Sequence, residues 1–409
     1  MLKQFLKHSI VYSFGNVMTK GIGFLLVPVY LRFLSQEEYG VFDYVVSIGA
    51  IVVVVVTLEI SQGVMRFVSE HQDQEALQNS YVATAFWFTA SSFFLLTLAA
   101  FLFSRELSLI LLDDVGREHI LFFGALAFSS NALVYFFSVV YRSKLQPRIS
   151  ILISVSSVIA VAFFSLCALY FGYGVGGLLF SQFAAQMLVV GYIVWDNRIF
   201  FRPPDFFRLK ELLAFSTPLV FSSLSVLLSI FADRLVIKAY LGFQELAIFS
   251  VGAKIAAVIT LLTMGVQSAL APLVYARIDC ADTPIKLRKI LGGYILVGSA
   301  FLLVIGLLGK EVILFVAGNN YTEASSVAVI LGGAVLIHGM CAFFPGLSIY
   351  KKTKLLACVN FIGAVFSVFM NFLLVIKWGV VGASFATLAG ACVIFFMNAF
   401  FSQKYYKIF

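Results

Sequence analysis

Long, continuous apolar runs alternate with short polar segments along this chain. Twelve runs reach the roughly 20 residues that a helix needs to cross about 30 Å of hydrocarbon. A membrane-spanning barrel requires alternating segments of about ten residues instead. The pattern therefore predicts an all-α integral membrane protein with twelve transmembrane helices, at residues 9–31, 40–66, 80–103, 119–141, 150–171, 174–195, 212–237, 244–272, 290–309, 324–349, 355–376 and 379–401.

Composition supports a bilayer as the solvent of these helices. Hydrophobic residues make up 61% of the chain and charged residues 12%, whereas soluble domains have about 45–50% and about 25%. The runs at 150–195 and 355–401 are about twice too long for one crossing, so we interpret each as a pair of helices. The five cysteines suit neither a zinc site nor a disulfide framework, and we predict no metal and no cofactor.

The net charge of +8 is distributed unequally between the two sides of the predicted membrane. Nineteen Lys and Arg residues fall on the side of the termini, six on the other side and three within spans. By the positive-inside rule, both termini are predicted to be cytoplasmic. We interpret the basic loops as lying against anionic lipid headgroups, and we predict no nucleic acid partner. No nucleotide-binding loop motif is present, which argues against an ATP-driven pump.

Three weak similarities recur in the same order at nearly one offset, which indicates an internal repeat. Residues 34–42 resemble 241–249, residues 173–180 resemble 378–385, and Tyr141-Arg142 resembles Tyr350-Lys351. An even number of helices separates the copies, so both have one membrane orientation. We therefore predict two parallel six-helix lobes, residues 1–207 and 208–409. Such repeats are typical of alternating-access transporters, with the binding site between the halves.

Charges within the spans are confined to the first two helices of each predicted lobe. Each costs about 2.5–3.5 kcal/mol near the bilayer centre, or on the order of 15 kcal/mol together before pairing and hydration. Lys20 and Lys254 lie near mid-depth, whereas Asp43, Asp233 and Arg234 lie toward the outer side and Glu59 toward the cytoplasm. Cations at the middle, with charges above and below, suit an anionic cargo in a central cavity. The charges are Lys20 on span 1, Asp43 and Glu59 on span 2, Asp233 and Arg234 on span 7, and Lys254 on span 8.

Several of these positions admit two interpretations. Lys20 shares one helix face with Asn16. Lys20 and Lys254 either contact the cargo or an ion, or they snorkel or pair structurally. Asp233 and Arg234 either tie span 7 to span 2 through Asp43 or act in gating.

On a straight helix Glu59 lies about 160° from Asp43. Either span 2 bends, or Glu59 forms a structural pair with Arg66; Glu59 is also a candidate site for proton or sodium coupling. We interpret His338 as a packing residue with its hydrogen bonds satisfied, and Asn371 as an interhelical hydrogen-bonding residue.

The chain resembles the polysaccharide transporter branch of the multidrug/oligosaccharidyl-lipid/polysaccharide exporter superfamily, in particular the bacterial flippases for undecaprenyl-diphosphate-linked O-antigen or capsule repeat units. The matching stretches span the chain but are loose motifs: Tyr12-Ser13-Phe14-Gly15-Asn16 with Lys20-Gly21, residues 34–42, Arg66-Phe67-Val68-Ser69-Glu70 and, most specifically, residues 233–242.

This resemblance implies a V-shaped pair of lobes in the bacterial inner membrane, with spans 1, 2, 7 and 8 lining the cavity. The cargo implied is a lipid-linked oligosaccharide, whose diphosphate seeks cations such as Lys20, Arg234 or Lys254. Asn16 and Arg66 complete the candidate cavity. The mechanism implied is antiport of H⁺ or Na⁺, with the candidate carriers Asp43, Glu59 and Asp233.

Two other functions compete with that of a flippase: a multidrug exporter and a membrane-embedded enzyme. A multidrug exporter of the same superfamily usually has a more apolar or acidic cavity, and Lys20 and Lys254 argue against cationic drugs. A membrane-embedded glycan polymerase or acyltransferase usually needs a large outer loop or a polar catalytic cluster. The longest predicted outer loop covers about residues 104–118, and Asp113, Asp114 and His119 at its end are interpreted as a solvated turn. We predict that the protein is not an enzyme and name glycan polymerases only as possible partners.

Overall fold

The computed structural model describes residues 2–276, 282–350 and 352–408. Within these ranges every regular element is helical. The α-helices are α1 (Leu2–Phe33), α2 (Gln36–Thr57), α3 (Ile60–Glu70), α4 (Glu75–Leu102), α5 (Ser104–Leu112), α6 (Glu118–Ser143), α7 (Pro147–Tyr170), α8 (Gly174–Asp196), α9 (Phe206–Ala276), α10 (Thr283–Ala317), α11 (Ala324–Met340), α12 (Gly346–Ile349) and α13 (Thr353–Tyr405).

These helices account for the twelve predicted spans. The described residues contain ten helical runs that are long and apolar enough to cross a membrane. One of them, Lys354–Tyr405, folds back on itself and supplies two crossings. α1 is 32 residues long and covers the remaining predicted span. The prediction of an all-helical, twelve-span membrane protein is confirmed.

Two glycines divide the longest helical runs into antiparallel limbs. Gly379 interrupts α13 with φ 58°, and Ser367 donates a hydrogen bond to the carbonyl of Ala386 across the turn. Gly242 interrupts α9 with φ 85°, and the Arg234 guanidinium lies 5.8 Å from the Phe249 ring centroid across that turn. A positive φ costs glycine little, because glycine lacks the Cβ that strains other residues there.

The backbone at the turns agrees with the predicted repeat. Gly174 has φ 57° and Gly379, 205 positions later, has φ 58°. At the other repeated joint the two copies differ. Ser35 begins α2 with a capping box: the Ser35 hydroxyl accepts from the Glu38 amide, and the Glu38 carboxylate accepts from the Ser35 amide. At the corresponding place in the second copy, Gly242 makes a turn with positive φ.

Span 2 is broken, which corrects the prediction of one continuous helix over residues 40–66. α2 ends at Thr57 and α3 begins at Ile60, and between them Leu58 and Glu59 have φ 48° and 54°. Both residues carry a Cβ, so this left-handed pair is strained. Of the two interpretations of Glu59, the bend is the one observed.

The chain divides into two compact units, unit 1 (Met1–Leu227) and unit 2 (Leu228–Phe409). In unit 1, α6 is central and packs against α2, α3, α4, α7 and α8. A buried hydrogen bond from Ser130 to the Gln186 side chain, 2.7 Å long, joins α6 to α8. The predicted lobe boundary between residues 207 and 208 stays a prediction.

The segment that follows α8 is held on the body of unit 1. Phe200 is buried in an aromatic cluster with Phe86 and Phe137. The Trp87 indole donates to the carbonyl of Arg202 at 2.9 Å, and the Asp205 amide donates to a hydroxyl of α4. The connection between the two repeats is therefore fixed to α4 rather than free.

Unit 2 is built around α11, which packs against α10 and α13. Tyr294 of α10 is 3% exposed. Its hydroxyl donates to the carbonyl of Leu336 on α11 and lies 3.0 Å from the Thr263 hydroxyl on α9. One buried hydroxyl thus joins three helices, which fixes the wall of the cavity described below.

Candidate functional site

Asp233, one of the charged residues in the predicted spans, lies on the first limb of α9. It is 3% exposed. Its carboxylate accepts hydrogen bonds from the Asn371 amide at Oδ1 and from the Thr387 hydroxyl at Oδ2, the latter at 2.7 Å. Asn371 and Thr387 stand eight residues before and after Gly379, so the α13 hairpin brings both donors to the same level. The predicted interhelical role of Asn371 is observed here.

Arg234, the next residue, is 9% exposed. Its guanidinium donates to the carbonyl of Ile230 at 3.2 Å and lies 5.2 Å from the Phe231 ring centroid. Together with Phe249 across the turn, the aromatic rings accommodate the cation through its attraction to their π faces. Asp233 and Arg234 are thus packed within unit 2, and both face one cavity.

This cavity, which we call the unit 2 cavity, has a volume of about 550 Å³. Both limbs of α9, α11 and both limbs of α13 contribute to its wall. Small residues on the α13 hairpin, among them Gly363, Gly390 and Ala391, make the space. The polar side chains that line it are Asp233, Arg234, Thr260, Thr263, Gln267, His338, Ser367 and Thr387. Its size and mostly apolar wall with a few polar groups are typical of small-molecule sites.

The structure places Lys254 on the same limb of α9 but outside this wall. Ala253 and Ala257 line the cavity, whereas Lys254, which is half-buried, does not belong to the lining. The face of this limb that meets the cavity carries Ala253, Ala257, Thr260 and Gln267.

In unit 1, the predicted site residues lie in different surroundings. Lys20 on α1 is exposed. Asp43 on α2 is 5% exposed, and its main-chain carbonyl accepts the Ser47 hydroxyl at 2.6 Å. The side chain of Asn16 lies outside the described residues. The roles of these three residues in a cavity stay predictions.

Glu59 and Arg66 lie on either side of the first turns of α3. Glu59 occupies the break itself and is half-buried. Arg66 forms an ion pair with Glu70, with 3.8 Å between Nε and Oε2, and its guanidinium lies 4.5 Å from the Phe215 ring centroid. The pair of Arg66 with Glu59 that the spacing allowed is replaced by this pair with Glu70.

Sequence reasoning missed part of the unit 2 cavity. His338, interpreted as a satisfied packing residue, is exposed, lines the cavity and makes no hydrogen bond to the described residues. Thr387 was not predicted at all. A signal existed for Thr387, because Ser384, Thr387 and Ala391 form a stripe of small and polar residues at helical spacing on the last limb of α13. Among the described residues, no cluster of three His, Cys, Asp or Glu side chains could hold a metal ion.

Solved structures of membrane transporters have this fold. A mutant of the Vibrio cholerae MATE transporter VcmN has a TM-score of 0.67 at 14% identity, covering 98% of this chain and 96% of that one. The MATE multidrug transporter DinF-BH, in a ligand complex, has a TM-score of 0.66 at 14% identity, covering 100% and 96%. A MOP superfamily transporter from Pyrococcus furiosus has a TM-score of 0.64 at 13% identity, covering 98% and 95%.

The fold is therefore that of the two-lobed transporters of the MOP superfamily, the multidrug/oligosaccharidyl-lipid/polysaccharide exporters. Residues 5–275 match the family model described as polysaccharide biosynthesis protein. The chain belongs to this family, which confirms the predicted resemblance. Among curated proteins, none matches the chain significantly. Family and fold together place the chain among membrane transporters.

Proposed function

We propose that the protein is a flippase that moves an undecaprenyl-diphosphate-linked oligosaccharide, an O-antigen or capsule precursor, across the bacterial inner membrane by alternating access. The match to a polysaccharide biosynthesis family supports a glycan cargo, and the transporter fold supports movement rather than synthesis. Lys20, Arg234 and Lys254 are the cations proposed to attract the diphosphate. Both termini are proposed to lie in the cytoplasm, on the side with most of the basic loops.

The observation that carries the mechanism is the surroundings of Asp233. An ionisable residue deep in a membrane protein marks an ion or proton pathway more often than a packing role. The Oδ1 atom of Asn371 is buried and accepts no hydrogen bond from the described residues. If Asp233 takes up a proton, rotation of the Asn371 amide would present this acceptor to it, and the Thr387 hydroxyl can change from donor to acceptor. The site thus suits a carboxylate that alternates between two charge states.

We therefore propose that Asp233 carries the coupling ion, H⁺ or Na⁺, and that Asp43 and Glu59 are secondary candidates. Asn16 and Arg66 are proposed to contribute to the path of the cargo. When Asp233 is neutral, its hydrogen bonds with Asn371 and Thr387 of the α13 hairpin weaken, because hydrogen bonds to a charged group are stronger than those to a neutral one. This change links ion binding to the packing of the limbs of α9 and α13.

Deletion of the gene in its host tests the cargo directly. We expect loss of surface glycan and accumulation of its lipid-linked precursor in the cytoplasmic leaflet, both restored by the wild-type gene. Unchanged glycan with reduced export of cationic dyes would instead support the multidrug exporter. Precursor that reaches the outer leaflet but stays a single repeat unit would support a polymerase.

Asp233→Asn tests the coupling role. The variant keeps the shape and hydrogen-bonding capacity of the side chain but cannot ionise. We expect the rate of precursor translocation to lose its dependence on the ion gradient and to fall at least tenfold. Asp73→Asn, at an exposed loop position, is the matched control and should transport normally. Gradient-dependent transport at the wild-type rate by Asp233→Asn would exclude Asp233 as the carrier.

A further inference from the structure

The polar side chains of the unit 2 cavity fall into two groups. The first group is bonded within the protein: Thr387 donates to Asp233, Ser367 donates to the carbonyl of Ala386, and Thr263 pairs with Tyr294. The second group makes no hydrogen bond to the described residues and consists of Thr260, Gln267 and His338. Because all three line the cavity, their donors and acceptors are directed to whatever fills it.

The three side chains of the second group lie on two sides of the cavity. Thr260 and Gln267 are seven residues apart on the second limb of α9, a separation of two turns that puts them on one face. His338 stands on α11, across from that limb. Gln267 and His338 are both exposed, so neither is walled off by neighbouring side chains. A ligand between the two helices could bond to all three.

The chemistry of these groups matches that of a sugar ring. A hydroxyl, an amide and an imidazole each donate and accept hydrogen bonds without carrying a fixed charge, and sugar hydroxyls also do both. An apolar occupant such as a prenyl chain would leave three polar groups unpaired, which is costly away from water. Asp233 and Arg234 in the wall carry opposite charges, so their fields oppose each other and give a phosphate no clear advantage over a neutral ligand.

We infer that the unit 2 cavity binds a sugar residue of the cargo through Thr260, Gln267 and His338. This inference rests on the proposed function and deepens it, because it assigns the glycan and the diphosphate to different residues. The volume of about 550 Å³ falls within the range of small-molecule sites.

The test measures binding of carrier lipids to the purified full-length protein in lipid nanodiscs. The probes are undecaprenyl diphosphate without sugar and the same lipid carrying one glucose, galactose or N-acetylglucosamine. We expect the wild-type protein to bind at least one sugar-bearing lipid about tenfold more tightly than the bare lipid, as two or three neutral hydrogen bonds provide. In the double variant Gln267→Leu/His338→Leu this preference should fall below twofold, with binding of the bare lipid unchanged.

Two further variants separate a lost sugar contact from a disturbed fold. Thr260→Val removes one hydroxyl at nearly constant shape, and we expect it to lower the preference about threefold. Ile230→Leu, an isomeric change in the same wall, is the matched control and should keep the full preference. A preference that persists in both Thr260→Val and the double variant overturns the inference, as does an equal loss for bare and sugar-bearing lipids.

The outcome for the wild-type protein distinguishes this inference from the proposed function. Binding of the bare lipid with no preference for any sugar overturns the sugar subsite and leaves a diphosphate-lipid flippase intact. Binding of neither kind of lipid overturns the proposed function and the subsite with it.

Discussion

The hydrogen bond from Thr387 to Asp233 provides a measurement of the charge on Asp233. Thr387→Val removes the hydroxyl, whose oxygen lies 2.7 Å from Oδ2, and keeps the β-branched shape. Hydrogen bonds to ionised groups contribute about 1.5–3 kcal/mol. Neutral interhelical hydrogen bonds in membranes average about 0.6 kcal/mol. The two ranges are far enough apart for one coupling energy to identify the charge state.

The assay is a double-mutant cycle of Thr387→Val with Asp233→Ala, which removes the acceptor, read by reversible unfolding in mixed detergent–lipid micelles at alkaline and acidic pH. At alkaline pH, where the carboxylate is ionised, we expect a coupling energy of about 1.5–3 kcal/mol. At acidic pH it should fall to about 0.6 kcal/mol as the carboxyl takes up a proton.

The matched control is Thr57→Val, because the Thr57 hydroxyl donates to the carbonyl of Val53 in its own helix. It should show no coupling with Asp233→Ala at either pH. A Thr387 coupling that does not change with pH would contradict the idea that Asp233 changes its charge. A coupling near zero throughout would show that the hydrogen bond contributes nothing to stability.

Two further outcomes are expected. Gly379→Ala should lower the free energy of unfolding by about 1–2 kcal/mol, because alanine is strained at φ 58°. Gly191→Ala, in an open helical position, should be neutral or slightly stabilising. Equal thermal midpoints for the two variants would contradict the assigned turn. Lys20→Ala and Lys254→Ala should each abolish surface glycan while the protein still inserts, as shown by immunoblotting of membranes; normal glycan in both variants would refute a role of these cations in binding the diphosphate.

The number and nature of the helices could be predicted because the bilayer fixes the length of an apolar run. The repeat could be predicted because a turn with positive φ favours glycine, so the glycine is visible in the sequence of each copy. Gly174 and Gly379 have matching φ values. The break at Leu58–Glu59 could not. It contains neither glycine nor proline, the usual causes of helix breaks. The residues that follow it, Ile60 and Val64, are buried in a hydrophobic cluster of unit 1.

The candidate site was only partly predictable for a related reason. Asp233 is conspicuous because a charge in an apolar run is costly. Thr387 is a single hydroxyl among small residues, and its contact with Asp233 depends on the register of the α13 hairpin. The interpretation of His338 as a packing residue was wrong, because an isolated histidine in an apolar helix does not reveal whether its face meets a neighbour or a cavity.

The matching turns at Gly174 and Gly379 also bear on the ancestry of the chain. A six-helix progenitor that paired with a second copy of itself would have carried one such turn in each subunit. After duplication and fusion, a mutation could alter one copy alone. The joint at Ser35 and Gly242 has diverged in this way, and so has the chemistry, since the aspartate held by an amide and a hydroxyl across a hairpin belongs to the second copy. The two halves thus share a turn, whereas this carboxylate arrangement lies in the second half alone among the contacts described above.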